Sequence, residues 1–104
     1  MNRWLNRPYT GKHGCRRLCA AVLAEAGIPW PRGRERQQWA RVTVPALHDV
    51  VVFTLGARSH HVGVCLGRGR FLHVEEGERS RIDRLESPLF APRIEGIYRY
   101  TPCS

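Results

Sequence analysis

The sequence contains no long hydrophobic run and no apolar segment near its start. No stretch reaches the roughly 18 consecutive apolar residues of a transmembrane helix, and residues 1–10 lack the apolar core of a signal peptide. We therefore expect no membrane span and synthesis in the cytoplasm, where thiols stay reduced. Because a disulfide framework is then not expected, the four cysteines are interpreted as thiols: Cys15, Cys19, Cys65 and Cys103.

Internal repeats and low-complexity segments are also lacking. The chain has 104 residues, about the length of one domain. Its hydrophobic fraction of 42% and charged fraction of 25% are those of soluble globular proteins, which excludes wholesale disorder and fibrous repeats. We predict a single folded domain over residues 1–104.

Acidic residues are few: 9 Asp and Glu stand against 17 Lys and Arg, giving a formal net charge of +8. Up to Arg41 there are nine basic and two acidic residues, so the excess surrounds Cys15. An Arg-rich surface favours partners that carry phosphate or carboxylate. An acidic cell envelope, an acidic protein and nucleic acid all meet this condition, so charge alone selects no activity.

A helix is predicted over residues 15–26, where apolar residues recur at helical spacing and Gly27 follows as a stop. Its first turn holds Cys15, Arg16 and Arg17. The helix dipole and the two cations favour a thiolate at that position. We therefore predict that Cys15 is reactive, whereas Cys19 and Cys65 are interpreted as core residues.

The rest of the chain predicts strands joined by loops. Residues 29–41 form a basic loop with a possible short helix over 35–41. β-branched and aromatic runs predict strands over 49–53, 61–66, 70–74, 80–85 and 94–100. One helix followed by consecutive strands, without βαβ alternation, predicts an α+β fold with an antiparallel sheet.

Two histidines fall on one face of the predicted hairpin. With Arg68 at the centre of the turn, Gly63 lies opposite His73, and His61 becomes a diagonal neighbour of His73. His60 points to the other face. If the start of the helix packs against this pair, Cys15 can act as nucleophile, with a base and an orienting group from the hairpin.

These stretches resemble the NlpC-type papain-like murein peptidases, and in particular the branch found in phage tail assembly. In place of the family's Asp-Cys-Ser-Gly or Asp-Cys-Trp-Gly, this chain has Gly14-Cys15-Arg16-Arg17. The resemblance lies in GCRRLCAAVLAEAGI (14–28), DVVVF (49–53), HVGVCLGRGRFLH (61–73) and IEGIYRY (94–100).

The resemblance implies a papain-like domain in which a nucleophile helix packs on a small antiparallel sheet. It implies a thiol hydrolase that cleaves amide bonds of peptidoglycan stem peptides without a cofactor, with Cys15 as nucleophile, His61 as general base and His73 as the residue that orients it. Candidates for contacting the substrate are Tyr9, Arg16 and His60. The implied partners are the peptidoglycan peptide and phage tail or other assembly proteins, rather than nucleic acid, and the implied place of action is the cell wall after assembly, delivery or lysis.

Two other functions stay open. A catalytically silent assembly or binding module could keep the same fold and contact an acidic partner through its basic loop, with Arg32, Arg34, Arg36 and Trp39. A zinc site could draw on thiols and imidazoles, although Cys-x₃-Cys and His-x₃-Cys are not the common zinc-finger spacings. Its candidate ligands are Cys15, Cys19, His61, Cys65 and His73.

Overall fold

The computed structural model describes residues 2–9, 11, 13–54 and 60–102; the predicted thiol of Cys103 lies outside them. Within the described residues there is one α-helix, α1 (Gly14–Glu25), and there are three short 3-10 helices, at Asn2–Trp4, Gly33–Gln38 and Ala91–Arg93. The strands are β1 (Trp39–Val42), β2 (Val50–Thr54), β3 (His60–Gly67), β4 (Arg70–His73), β5 (Arg81–Arg84) and β6 (Ile94–Tyr100). The predicted α+β class is confirmed. In the described part of the chain no helix is both long enough and apolar enough to cross a membrane.

Helix α1 begins within one residue of the predicted start. His13 precedes it in the left-handed conformation, with φ of 60°. Gly27 follows it with φ of 76° and donates a hydrogen bond to the carbonyl of Ala24, which satisfies a carbonyl that the helix leaves free. The apolar residues whose spacing predicted α1 are also the ones that the helix buries: Leu18, Cys19, Val22 and Leu23.

The strands form one antiparallel sheet in the order β1-β6-β2-β3-β4-β5. Strand β6 lies between β1 and β2, so a strand from late in the sequence is internal to the sheet. In the β3–β4 hairpin Val64 pairs with Leu72, as the predicted register requires. Arg68 and Gly69 both have positive φ, 56° and 72°, and form the tight turn.

The sheet separates two apolar clusters. Helix α1 covers one face, where Leu18, Cys19, Val22 and Leu23 pack with Val62, Val64, Leu72 and Val74. The second cluster lies on the opposite face and contains Val51, Phe53, Cys65, Phe71, Leu85 and Phe90. Side chains alternate along β3, so Val62 faces the helix and His61 faces the second cluster.

The prediction of a basic loop over residues 29–41 is partly wrong. Its end forms the edge strand β1, and the possible short helix is a 3-10 helix that ends at Gln38. The segment gives no strand signal because half of β1 is exposed and its pairing partners are distant in the chain, from Val42 with Ile97 to Trp39 with Tyr100. Pairing with a distant strand therefore overrides the local sequence here.

Candidate active site

The two predicted site histidines lie in contact. His61 is the second residue of β3 and His73 is the last residue of β4, and the register of the hairpin brings their rings together. Nε2 of His61 lies 2.7 Å from Nδ1 of His73, a buried hydrogen bond. Nδ1 of His61 is not part of this contact, so it is the nitrogen that can face a reacting group.

Both imidazoles are neutral at pH 7. Burial, helped by the neighbouring His73, lowers the pKa of His61 to about 4. Burial also lowers the pKa of His73, although its hydrogen bond to Asp83 acts in the opposite direction. Neutral histidine has one protonated and one unprotonated nitrogen, so each ring here can donate one hydrogen bond and accept another.

Asp83 is a site residue that the sequence analysis missed. Its Oδ2 lies 2.7 Å from Nε2 of His73 and 2.8 Å from Nε of Arg81. A single Asp within strand β5 shows no local pattern that distinguishes it from a surface residue. Only the register, which pairs Phe71 with Asp83 and so puts the carboxylate on the His73 face, reveals the contact.

Cys15 is the second residue of α1 and its side chain is 7% exposed. It packs in the cluster between the helix and the sheet. Within the described residues the thiol and His61 are not joined by a hydrogen bond. The structure thus brings the two histidines into direct contact among the rings of the second cluster, whereas the thiol packs in the first cluster, between the helix and the other face of the sheet. The start of the helix therefore does not cover the histidine pair, which differs from the arrangement that the sequence analysis expected.

A groove lined by residues of both α1 and β3 shows where the helix start lies relative to the strand that carries His61. Arg16, next to Cys15, and His60, next to His61, line the same groove of about 570 Å³ together with Val62. The first turn of α1 and the first residues of β3 therefore lie at the same end of the sheet. The lining also includes aromatic side chains and charges of both signs: Trp30, Trp39, Tyr98, Arg36 and Glu95.

The candidate zinc ligands are not gathered as a group. His61 and His73 lie close to Glu75, with ligand atoms within 4.8 Å of one another, but the cysteines are not in this cluster. Both ring nitrogens of His73 are already hydrogen-bonded, so a cation here would break one of these bonds. The geometry favours a hydrogen-bonded relay over a zinc site at these residues.

Cys19 and Cys65 have the properties of core residues. Both side chains are completely buried, and both are free thiols. Burial raises the pKa of Cys19 well above its ordinary value and that of Cys65 to about 12. Neither thiol ionises near neutral pH, which separates them chemically from a nucleophile.

Comparison with known proteins identifies the family. The sequence model of the NlpC/P60 family matches residues 6–99. The chain belongs to the NlpC/P60 family. No curated protein matches it in sequence.

Two solved structures have the fold of this NlpC/P60 chain. One is a lipoprotein-like NLP/P60 family protein from Staphylococcus aureus subsp. aureus Mu50, with 19% identity and a TM-score of 0.74. The other is an NlpC/P60 family protein from Bacillus cereus ATCC 10987, with 25% identity and a TM-score of 0.73. Each match covers 97% of this chain but only 39% and 38% of those chains, so this chain spans about two fifths of their length.

The packing of Tyr9 explains why this NlpC/P60 chain has Gly14 before its cysteine. A Cβ at Gly14 would lie 2.9 Å from Cγ and Cδ2 of the Tyr9 ring, closer than side chains approach one another. An Asp at this position would therefore have to displace Tyr9. Of the three predicted substrate contacts, Arg16 and His60 line the groove, whereas Tyr9 packs against the residue that precedes Cys15.

Proposed function

We propose that this domain is a cysteine peptidase that hydrolyses amide bonds of peptidoglycan stem peptides, with Cys15 as nucleophile, His61 as general base and His73 as its orienting residue. The observation that carries the proposal is the buried 2.7 Å hydrogen bond between Nε2 of His61 and Nδ1 of His73. It fixes the imidazole of His61 by a second group, as a general base requires. Members of the NlpC/P60 family are typically cell-wall peptidases, which supports the same reaction.

The reaction begins with a neutral His61, because burial holds its pKa near 4. The next step requires the imidazole of His61 and the thiol of Cys15 to meet at the end of the sheet where α1 and β3 begin. Nδ1 of His61 then takes the proton of Cys15 as Sγ attacks the carbonyl carbon, and the backbone N–H groups at the start of α1 stabilise the oxyanion. The imidazolium then protonates the leaving amine as the C–N bond breaks. Water, deprotonated by His61, attacks the thioester, and the C–S bond breaks to release a carboxylate and the thiol.

The groove beside the helix start supplies a place for the peptide. Arg16 and Arg36 offer positive charge to carboxylates of the stem peptide, and the aromatic side chains offer apolar surface. Arg16 directly follows Cys15 in the chain, so a peptide bound to Arg16 lies next to the residue that carries the nucleophile.

Alkylation of Cys15 by iodoacetamide at pH 7, followed by peptide mass spectrometry, tests the proposal. We expect Cys15 to react while the buried Cys19 and Cys65 do not, and we expect His61→Ala to slow its reaction at least about tenfold because the base is lost. His48→Asn is the matched control, because His48 lies outside both the groove and the histidine pair and Asn tolerates its positive φ of 72°. Cys103 is followed as a separate peptide.

Digestion of purified murein provides the second measurement. Wild type and His48→Asn should release peptide fragments, and Cys15→Ser and His61→Ala should not. Equal alkylation of Cys15 in wild type and His61→Ala, together with no release of fragments by wild type, would reject the peptidase.

A catalytically silent binding module is the second candidate function. The observation that favours it is the exposed basic segment 32–36, in which Arg32, Arg34 and Arg36 form no ion pair with any residue that the structure describes. Binding to insoluble murein that is unaffected by Cys15→Ser but lost in the triple variant of these arginines, without digestion by wild type, would support this alternative.

We also propose that a phage or prophage tail, or lysis, brings the domain to the wall. The resemblance of residues 94–100 to the phage branch supports this proposal. Degradation of whole-cell walls by the purified domain alone, at the rate measured on isolated murein, would argue against the need for such delivery.

A further inference from the structure

The polar chain that begins at His61 does not stop at His73. Nε2 of His73 lies 2.7 Å from Oδ2 of Asp83, on the next strand of the sheet. His73 is completely buried, whereas 29% of the Asp83 side chain is exposed. The carboxylate therefore connects a buried pair of imidazoles to the protein surface.

The charge of Asp83 determines where the protons lie. Burial alone would raise the pKa of Asp83, but the hydrogen bonds from His73 and Arg81 outweigh it and hold this pKa below its ordinary value. An ionised carboxylate only accepts hydrogen bonds, so Nε2 of His73 must carry a proton. Because His73 is neutral, its Nδ1 is then unprotonated and must accept a proton from Nε2 of His61.

The same reasoning fixes the second ring. With its proton on Nε2, neutral His61 has its lone pair on Nδ1. If His73 instead carried its proton on Nδ1, it would donate to Nε2 of His61, and His61 would carry its own proton on Nδ1. A base could not act from a protonated Nδ1, so the carboxylate excludes the inactive arrangement.

We propose that Asp83 is a positioning residue that sets the tautomer of His73 and, through it, that of His61. This inference rests on the proposed function, because it states how the base of that reaction is prepared. The hydrogen-bonded relay then consists of His61, His73 and Asp83, one on each of the adjacent strands β3, β4 and β5.

The charged groups that face this relay support an ionised Asp83. Arg81 donates from Nε to the same Oδ2 that His73 contacts, at 2.8 Å, and from Nη2 to Glu75 at 3.1 Å. The other neighbours are apolar rings, since Phe53 packs against His61, and Phe71 and Phe90 pack against His73. Arg81 therefore favours the ionised form of Asp83, the form that accepts a hydrogen bond from Nε2 of His73.

Nitrogen-15 NMR of the histidine rings at pH 7 tests the inference directly. In wild type we expect both His61 and His73 to carry their proton on Nε2. In Asp83→Ala we expect His73 to lose this preference and populate the Nδ1–H tautomer, and Asp83→Asn should restore part of it, because its amide oxygen still accepts a hydrogen bond. Glu86→Ala, which removes an exposed carboxylate that pairs with Arg84, is the matched control and should leave both tautomers unchanged.

Murein hydrolysis provides a second reading. We expect Asp83→Ala to lower kcat by about a hundredfold, within the range of a general base, with little change in KM. A wild-type His73 with its proton on Nδ1, or unchanged tautomers in Asp83→Ala, overturns the inference whether or not the domain is active. Loss of the tautomer preference without any hydrolysis by wild type would instead retain the inference about Asp83 and reject the proposed peptidase.

Discussion

His61 links the chemistry of the site to the stability of the fold. Its pKa is about 4 in the folded protein and about 6.5 in an unfolded chain. Between these values the unfolded state binds a proton that the native state does not, so the free energy of unfolding falls as the pH is lowered from 6.5 to 4. The gap corresponds to about 3 kcal/mol, and the lowered pKa of His73 acts in the same direction.

Urea unfolding at a series of pH values from 7 to 4 measures this dependence. We expect the wild-type free energy of unfolding to decrease steadily over the range, and His61→Gln to show a shallower decrease because one titrating group is gone. His60→Gln, at the neighbouring exposed position, should follow wild type. A wild-type profile that is flat over this range would contradict the expectation.

The sequence could predict some site residues and not others, for physical reasons. The contact between His61 and His73 follows from strand alternation and a short turn, both of which are local. Asp83 depends on the pairing of β4 with β5 across a loop, which no local spacing encodes. The groove is also a product of tertiary packing, because it joins Arg16 on the helix to Tyr98 on β6.

At the scale of secondary structure, the turn between β3 and β4 contains a residue in an unfavourable backbone conformation. Arg68 has φ of 56°, a left-handed conformation that disfavours long side chains and that Asn tolerates better. Asn followed by Gly is also the preferred sequence for two-residue hairpin turns with positive φ. The turn therefore gains its shape from the hairpin rather than from Arg68.

We expect Arg68→Asn to raise the free energy of unfolding by about 0.5 kcal/mol because it relieves part of this strain. Arg70→Asn removes the same charge from an exposed strand position and should give no gain. Urea unfolding of both variants measures the difference. A destabilised Arg68→Asn would show that the Arg68 side chain makes a stabilising contact.

Elements with a strong internal signal were predicted well. Helix α1 has clear apolar periodicity and strand β6 is rich in β-branched and aromatic residues, and their predicted limits agree with the structure within one residue. Strand β1 was missed because it is a half-exposed edge whose pairing with β6 supplies its order. The difference is that between elements stabilised by their own side chains and elements stabilised by a distant partner.

At the scale of the whole molecule, β6 ties the sheet together. It pairs with both β1 and β2, and Arg99 on β6 donates two hydrogen bonds, from Nε and Nη2, to the carboxylate of Asp49. Asp49 is 1% exposed and precedes β2. A buried carboxylate is stable in its ionised form only while it is paired, so this contact joins residues fifty positions apart.

We expect Arg99→Met to lower the urea midpoint of unfolding clearly more than Arg93→Met, which removes an exposed arginine just before β6. Asp49→Asn in the Arg99→Met background should recover part of the loss, since the unpaired charge is then removed. The two single variants and the double variant are compared at one ionic strength. Equal midpoints for the two single variants would show that the Arg99–Asp49 pair contributes nothing.

The division of the site between helix and sheet makes core packing a control on reactivity. Cys15 is fixed by α1, and the imidazoles are fixed by β3 and β4, so the distance between sulfur and nitrogen depends on how Leu18 and Val22 rest on the sheet. The rate at which the thiol reacts therefore depends on how closely the helix packs on the sheet. In the proposed peptidase, the loss of a methyl group at Val22 would therefore slow the reaction, although no residue that contacts the substrate is changed.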